Sequence, residues 1–61
     1  MTMTGKQLVK KMRKDGWVVM RIEGSHYIMR KDGKSIPVPV HANTDLRPGT
    51  LNSILKEAGY K

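Results

Sequence analysis

Two short turns constrain the fold of this chain more than any other feature of its sequence. Gly24-Ser25 and Asp32-Gly33 each lie between short runs typical of strands, of which the first, "WVVMRIE", is rich in β-branched residues. Asp-Gly in that position is typical of a two-residue β-hairpin, and a Gly-first pair suits the other hairpin turn. The turns therefore predict three consecutive antiparallel strands, over residues 17–23, 26–31 and 35–40.

The turns also predict the register of the strands, because a two-residue loop fixes which residues face each other. The predicted pairs are Glu23 with His26, Ile22 with Tyr27, Met20 with Met29, Met29 with Ile36, and Tyr27 with Val38. One face of the sheet is then apolar and is made by Val18, Met20, Ile22, Tyr27, Met29, Ile36, Val38 and Val40. The opposite face carries His26, Arg21 and Arg30.

The third strand contains two prolines with one residue between them. Pro37 and Pro39 lack an N–H group, and their spacing directs both toward the same side of the strand. The intervening residues remain free to bond to the second strand. This pattern predicts an edge strand that is protected against further pairing.

Helices are predicted on both sides of the strands. Thr4 and Gln7 match a capping box, and Gly16 before Trp17 is typical of a helix end, so the first helix covers residues 5–15. Its apolar stripe is Leu8, Val9 and Met12, and its basic face is Lys6, Lys10, Arg13 and Lys14. The second helix has Pro48 in its first turn, Gly59 at its end, and an apolar stripe of Leu51, Ile54, Leu55 and Ala58.

These elements predict an α+β fold, an α-β-β-β-α two-layer sandwich. Both helices cover the apolar face of the three-stranded antiparallel sheet, and residues 1–61 form a single domain. The 61 residues contain no cysteine and no apolar run of 18 residues, which suggests a soluble, cytoplasmic protein with no membrane association. Trp17 and the methionines are interpreted as core residues rather than as platforms for stacked bases.

Composition narrows the classes of function. Twelve Lys and Arg against five Asp and Glu give a net charge of +7, which favours a polyanionic partner, with nucleic acid first. With two histidines and no cysteine, neither a metal site nor another cofactor is expected. The sequence shows no phosphate-binding loop, paired-acid motif, nucleophile elbow or dinucleotide fingerprint, so acid–base chemistry by histidine is the catalytic class left.

Two histidines are candidates for that chemistry. His26 follows a tight turn on the polar face, where it is either a proton-transfer group or an ordinary surface residue. His41 ends the third strand and is a second acid–base group, a phosphate contact, or a histidine bonded to loop backbone. The basic residues either form a solvated face or contact RNA phosphates, and the candidates are Lys6, Lys10, Arg13, Lys14, Arg21 and Arg30.

Three segments together resemble one family. "GW" precedes a strand that leads into "GSH", "IPVPVH" follows, and "LRPGTLNSILKEAG" closes the chain. In this order they resemble the HicA family of toxin–antitoxin systems, small bacterial mRNA interferases with a double-stranded-RNA-binding-domain-like fold. The resemblance implies that His26 is catalytic and that RNA is cleaved without a metal, inhibiting translation and growth. It also implies a HicB-type antitoxin that blocks the active site.

Three hypotheses follow. In the first, the chain is an endoribonuclease toxin in which His26 activates the 2′-hydroxyl, leaving a 2′,3′-cyclic phosphate and a 5′-hydroxyl. In the second, it is a non-catalytic RNA-binding module of the same fold, in which the lysines matter and His26 does not. In the third, it binds only proteins, such as an acidic antitoxin or regulator.

Overall fold

The computed structural model describes residues 2–61 and contains five elements in the predicted order. They are α1 (Gly5–Lys14), β1 (Val18–Glu23), β2 (His26–Lys31), β3 (Lys34–Pro39) and α2 (Pro48–Glu57). The strands form one antiparallel sheet in the order β1-β2-β3. The predicted α-β-β-β-α fold is confirmed, and no helix in the described part of the chain could span a membrane.

Hydrogen bonds at its two ends explain where α1 begins and ends. The Thr4 hydroxyl accepts from the Gln7 N–H at 3.1 Å, and the Gln7 side chain accepts from the Thr4 N–H at 2.9 Å, which completes the predicted capping box. At the other end Gly16 has φ +100°, and the Trp17 N–H reaches back to the Met12 carbonyl at 3.0 Å. This Schellman ending turns Trp17 into the core, so β1 begins one residue later than predicted.

The backbone of each hairpin turn matches its residues. Gly24 has φ +60° and Ser25 has an ordinary negative φ, as in a type II′ turn, which places glycine first. Asp32 and Gly33 both have positive φ, 50° and 80°, as a type I′ turn requires. Both turns have the twist that antiparallel strands need, and the register between β2 and β3 is regular from end to end.

Four of the five predicted residue pairs are confirmed. Glu23 pairs with His26, Ile22 with Tyr27, Tyr27 with Val38 and Met29 with Ile36. The predicted pair of Met20 with Met29 is wrong: Val19 faces Met29, and the register shifts between Val19 and Arg21. Met20 is therefore the extra residue of a β-bulge, which moves the first half of β1 by one position relative to β2.

The core lies between the sheet and the two helices. It joins the predicted stripes of α1 and α2 to the centre of the sheet and consists of Leu8, Val9, Met12, Trp17, Met29, Ile36, Val38, Leu46, Leu51 and Ile54. Because these residues form one cluster, both helices cover the same face of the sheet, as predicted. Tyr27 and Val40 pack against its margin.

The prediction that Val18, Met20 and Ile22 of β1 belong to a buried apolar face is wrong. Val18, Met20 and Ile22 are 58%, 40% and 54% exposed. The bulge places Val18 opposite Arg30, on the face away from the helices. Ile22 keeps the predicted face beside Tyr27 but stays uncovered, because the strand residues of the buried core come from β2 and β3.

Candidate active site

His26 is the first residue of β2 and is flanked by a strand on each side. Its cross-strand neighbours are Glu23 on β1 and Pro39 on β3. Tyr27 and Met29 face the core, so alternation along β2 directs His26 to the opposite face of the sheet, where it is exposed. The fold thus presents this imidazole on an open surface at the end of the sheet rather than in a closed cavity.

His41 lies beside His26, although the two are 15 positions apart in the sequence. Their ring centroids are 6.4 Å apart and the rings are nearly perpendicular, at 80°. The cause is a hydrogen bond between the two segments: the Val40 N–H donates to the Ser25 carbonyl at 2.7 Å and ties the end of β3 to the residue before His26. The next residue after Val40 is therefore held at the same end of the sheet.

His41 is bonded to the loop that follows it through its main chain, not through its ring. Its carbonyl accepts a hydrogen bond from the Thr44 N–H at 2.9 Å. The side chain is exposed and its ring meets that of His26. The sequence could have indicated that the two histidines are close. Extending the predicted Tyr27–Val38 register by one residue places His26 opposite Pro39, and His41 follows Pro39 by two residues.

Two of the predicted cations share the face that carries His26. Arg21 forms an exposed ion pair with Glu23, the neighbour of His26. Arg30 lies further along β2 and donates to the Ser35 hydroxyl at 3.4 Å. Both guanidinium groups are exposed, so this face combines an imidazole with two cations.

The other four predicted cations lie elsewhere. Lys6, Lys10, Arg13 and Lys14 line a groove along α1, together with Val9 and Tyr27. Tyr27 faces the helix layer, whereas His26 faces away from it. The structure therefore brings these four residues together but separates them from His26 by the thickness of the sheet.

Sequence reasoning missed two residues near His41. Arg47 and Thr50 line a surface pocket with His41, between the end of β3 and the start of α2. Two contacts hold the loop before α2 in place: a bridge between Thr4 and Asp45, and a bond of 2.7 Å from the Leu46 N–H to the Met3 carbonyl. Because these contacts join distant segments, no local signal marks Arg47 as part of the site.

Within residues 2–61, no three His, Cys, Asp or Glu side chains come together as a metal site would require.

Comparison with known proteins adds one finding. Searches of curated proteins and of solved structures gave no match. The model of one family, described as the HicA toxin of bacterial toxin–antitoxin systems, matches residues 5–60, nearly the whole chain. The chain therefore belongs to the HicA family of toxins.

Proposed function

We propose that this toxin is an endoribonuclease that cleaves mRNA, with His26 as the group that activates the attacking hydroxyl. The observation that carries the proposal is the exposed position of His26 on an open sheet face shared with Arg21 and Arg30. An imidazole there is accessible to an RNA strand, and the two guanidinium groups can bind its phosphates. Membership of a toxin family that acts on RNA supports the same function.

The proposed reaction is an internal transesterification. His26 accepts the proton of a ribose 2′-hydroxyl, and the 2′-oxygen attacks the adjacent phosphorus. The bond from phosphorus to the 5′-oxygen breaks, which leaves a 2′,3′-cyclic phosphate and a 5′-hydroxyl. Arg21, on the neighbouring strand, stabilises the charge that develops on the phosphate, and Arg30, four residues further along β2, binds another phosphate of the same strand. The reaction is therefore proposed to need no metal. Loss of mRNA then inhibits translation and growth.

The proposed partner is a HicB-type antitoxin that neutralises the toxin. Family membership supports an antitoxin in general. The net charge of +7 favours an acidic surface on that partner. We propose that the antitoxin covers the face that carries His26.

A second candidate function is RNA binding without cleavage. The observation that favours it is the groove along α1, where Lys6, Lys10, Arg13 and Lys14 lie on the side of the sheet opposite His26. Such a surface could hold the backbone of structured RNA without involving an imidazole. The two candidate functions differ in whether bound RNA is cleaved or stays intact.

The test compares the wild type with His26→Ala on a defined mRNA transcript in excess EDTA. We expect the wild type to cleave the transcript and to leave the ends given above. We expect His26→Ala to leave the RNA intact, to cause no growth arrest on induction, and still to fold and bind a co-expressed HicB-type antitoxin. Full cleavage by His26→Ala contradicts the catalytic assignment. RNA that stays intact with the wild type but shows a salt-sensitive mobility shift supports the binding module.

A further inference from the structure

Cleavage by internal transesterification needs two proton transfers. One proton leaves the 2′-hydroxyl as the bond from phosphorus to the 2′-oxygen forms. A second proton must reach the 5′-oxygen as its bond to phosphorus breaks. Nothing is oxidised or reduced, and the proposed role of His26 accounts for the first transfer alone. A donor for the second must lie within reach of the same phosphodiester.

We infer that His41 is this donor, and the inference rests on the function proposed above. The centroids of the His26 and His41 rings are 6.4 Å apart. Since a proton-transferring group acts across a hydrogen bond of about 3 Å, this spacing leaves one phosphodiester accessible to both rings. Both imidazoles are exposed on the surface that the RNA would reach.

The neighbouring cations are unsuited to the same task. Arg21 lies on the His26 side and Arg47 on the His41 side. A guanidinium group binds phosphate well but does not give up its proton in proteins. These residues can therefore hold the substrate, whereas an imidazole can both donate and accept.

Two features shape the backbone on either side of His41. On one side, the bond from the Val40 N–H to the Ser25 carbonyl anchors the chain next to His26. On the other, Ala42 has φ +49°, a left-handed conformation that residues with a Cβ seldom adopt. Strain of this kind persists only where surrounding structure imposes it, and it is found preferentially at functional sites.

The pocket beside His41 offers a place for the leaving strand. Arg47 and Thr50 line it together with His41, on the side of His41 that faces the start of α2, and Asp45 lines it as well. The guanidinium group of Arg47 offsets the charge of Asp45 and is the group there that suits a phosphate. A phosphate bound there would belong to the nucleotide beyond the scissile bond and would bring the 5′-oxygen to His41. Arg47 is accordingly a positioning residue for this nucleotide.

The test uses an RNA oligonucleotide that spans a mapped cleavage site, in two forms. One has the natural 5′-oxygen at the scissile phosphate, and the other has sulfur there. A thiolate leaves without being protonated, so the sulfur substrate does not need a general acid. We expect His41→Ala to lose about 100-fold or more in rate on the oxygen substrate, the size typical of a lost general acid. On the sulfur substrate we expect it to stay near the wild-type rate, whereas His26→Ala is slow on both.

Each alternative outcome has a distinct meaning. Wild-type rates for His41→Ala on the oxygen substrate contradict the inference and leave His26 untouched. Equal losses on both substrates show that His41 has a structural or binding role and also contradict it. A wild type that cleaves no transcript, so that no cleavage site can be mapped, overturns the proposed function itself. Arg47→Ala should raise KM more than it lowers kcat, with Lys56→Ala, which removes an exposed charge elsewhere on α2, as the matched control.

Discussion

Gly5 packs against the main chain of Pro39 so closely that no side chain fits between them. A Cβ built on Gly5 would lie 2.0 Å from the Pro39 carbonyl oxygen and 2.9 Å from the Val40 Cα. This contact joins the start of α1 to the end of β3. Pro39 is the cross-strand neighbour of His26, so the contact also supports the candidate active site from behind.

Replacing Gly5 with alanine should destabilise the protein. The new methyl group meets backbone atoms that cannot rotate away, and overpacking of this kind costs about 1–3 kcal/mol. We expect the free energy of unfolding in urea to fall by that amount and RNA cleavage to fall with it, because Pro39 must move. Unchanged stability would contradict the tight packing seen here.

Gly49→Ala is the matched control. Gly49 also lies in the first turn of a helix, but a Cβ there would have no neighbour within 4 Å. Alanine loses less backbone entropy than glycine on entering a helix, so this variant should gain about 0.5–1 kcal/mol. The opposite signs of the two Gly→Ala changes separate packing from helix propensity.

The β-bulge predicts that substitutions at two methionines of neighbouring strands have very different effects on stability. Met20 is 40% exposed and Met29 is fully buried. Met29→Ala should therefore lower the free energy of unfolding by about 2–5 kcal/mol. Met20→Lys should change it by no more than about 0.5 kcal/mol. A large loss for Met20→Lys would instead support the regular register in which Met20 faces Met29.

The ion pair between Arg21 and Glu23 should limit how strongly Arg21 binds RNA. Both side chains are more than half exposed, so the pair itself contributes little to stability. In a His26→Ala background, where RNA should stay intact, Arg21→Gln should weaken RNA binding and reduce the salt dependence by about one phosphate contact. Glu23→Gln should strengthen binding, because it frees Arg21 and removes a negative charge. Weaker binding by Glu23→Gln would contradict this arrangement.

Tyr60 joins the end of the chain to the end of α1. Its hydroxyl donates a hydrogen bond to the Asp15 carboxylate, and Lys11 Nζ lies 4.9 Å from the ring centroid. Burial, and then the hydrogen bond and the negative charge of Asp15, raise the pKa of Tyr60 from 10.0 to about 12. The neutral phenol is therefore the form that stabilises the folded state.

This raised pKa predicts a loss of stability in strong alkali. Below pH 10 both the folded and the unfolded chain hold the phenol proton, so the stabilisation is complete. Between pH 10 and about 12 the unfolded chain loses the proton first, and the contribution disappears. Wild type should exceed Tyr60→Phe in unfolding free energy at neutral pH, and the difference should shrink over this interval. A difference that is constant with pH would contradict the role of the hydroxyl.

Local chemistry made most of the fold predictable from sequence. Gly24-Ser25 and Asp32-Gly33 determine tight turns because few residues tolerate a positive φ, and two-residue turns fix the register next to them. The capping residues of α1 act within four positions of each other. These signals gave the order of the elements, the placement of His26 on the open face, and its neighbour Glu23.

Other features depend on contacts between segments that are distant in the sequence, and only the tertiary structure decided them. The bulge at Met20 reverses the side-chain alternation of half a strand, yet no turn residue marks it. Whether Ile22 is covered depends on where the helices lie, which follows from packing of the whole core. The position of Arg47 beside His41 depends on the loop between β3 and α2, which is held by contacts to Met3 and Thr4. The sequence thus determined the position of His26 and its neighbour Glu23, because the nearest turn sets both. The tertiary structure decided the bulge, the exposure of Ile22 and the place of Arg47, because contacts between distant segments set them.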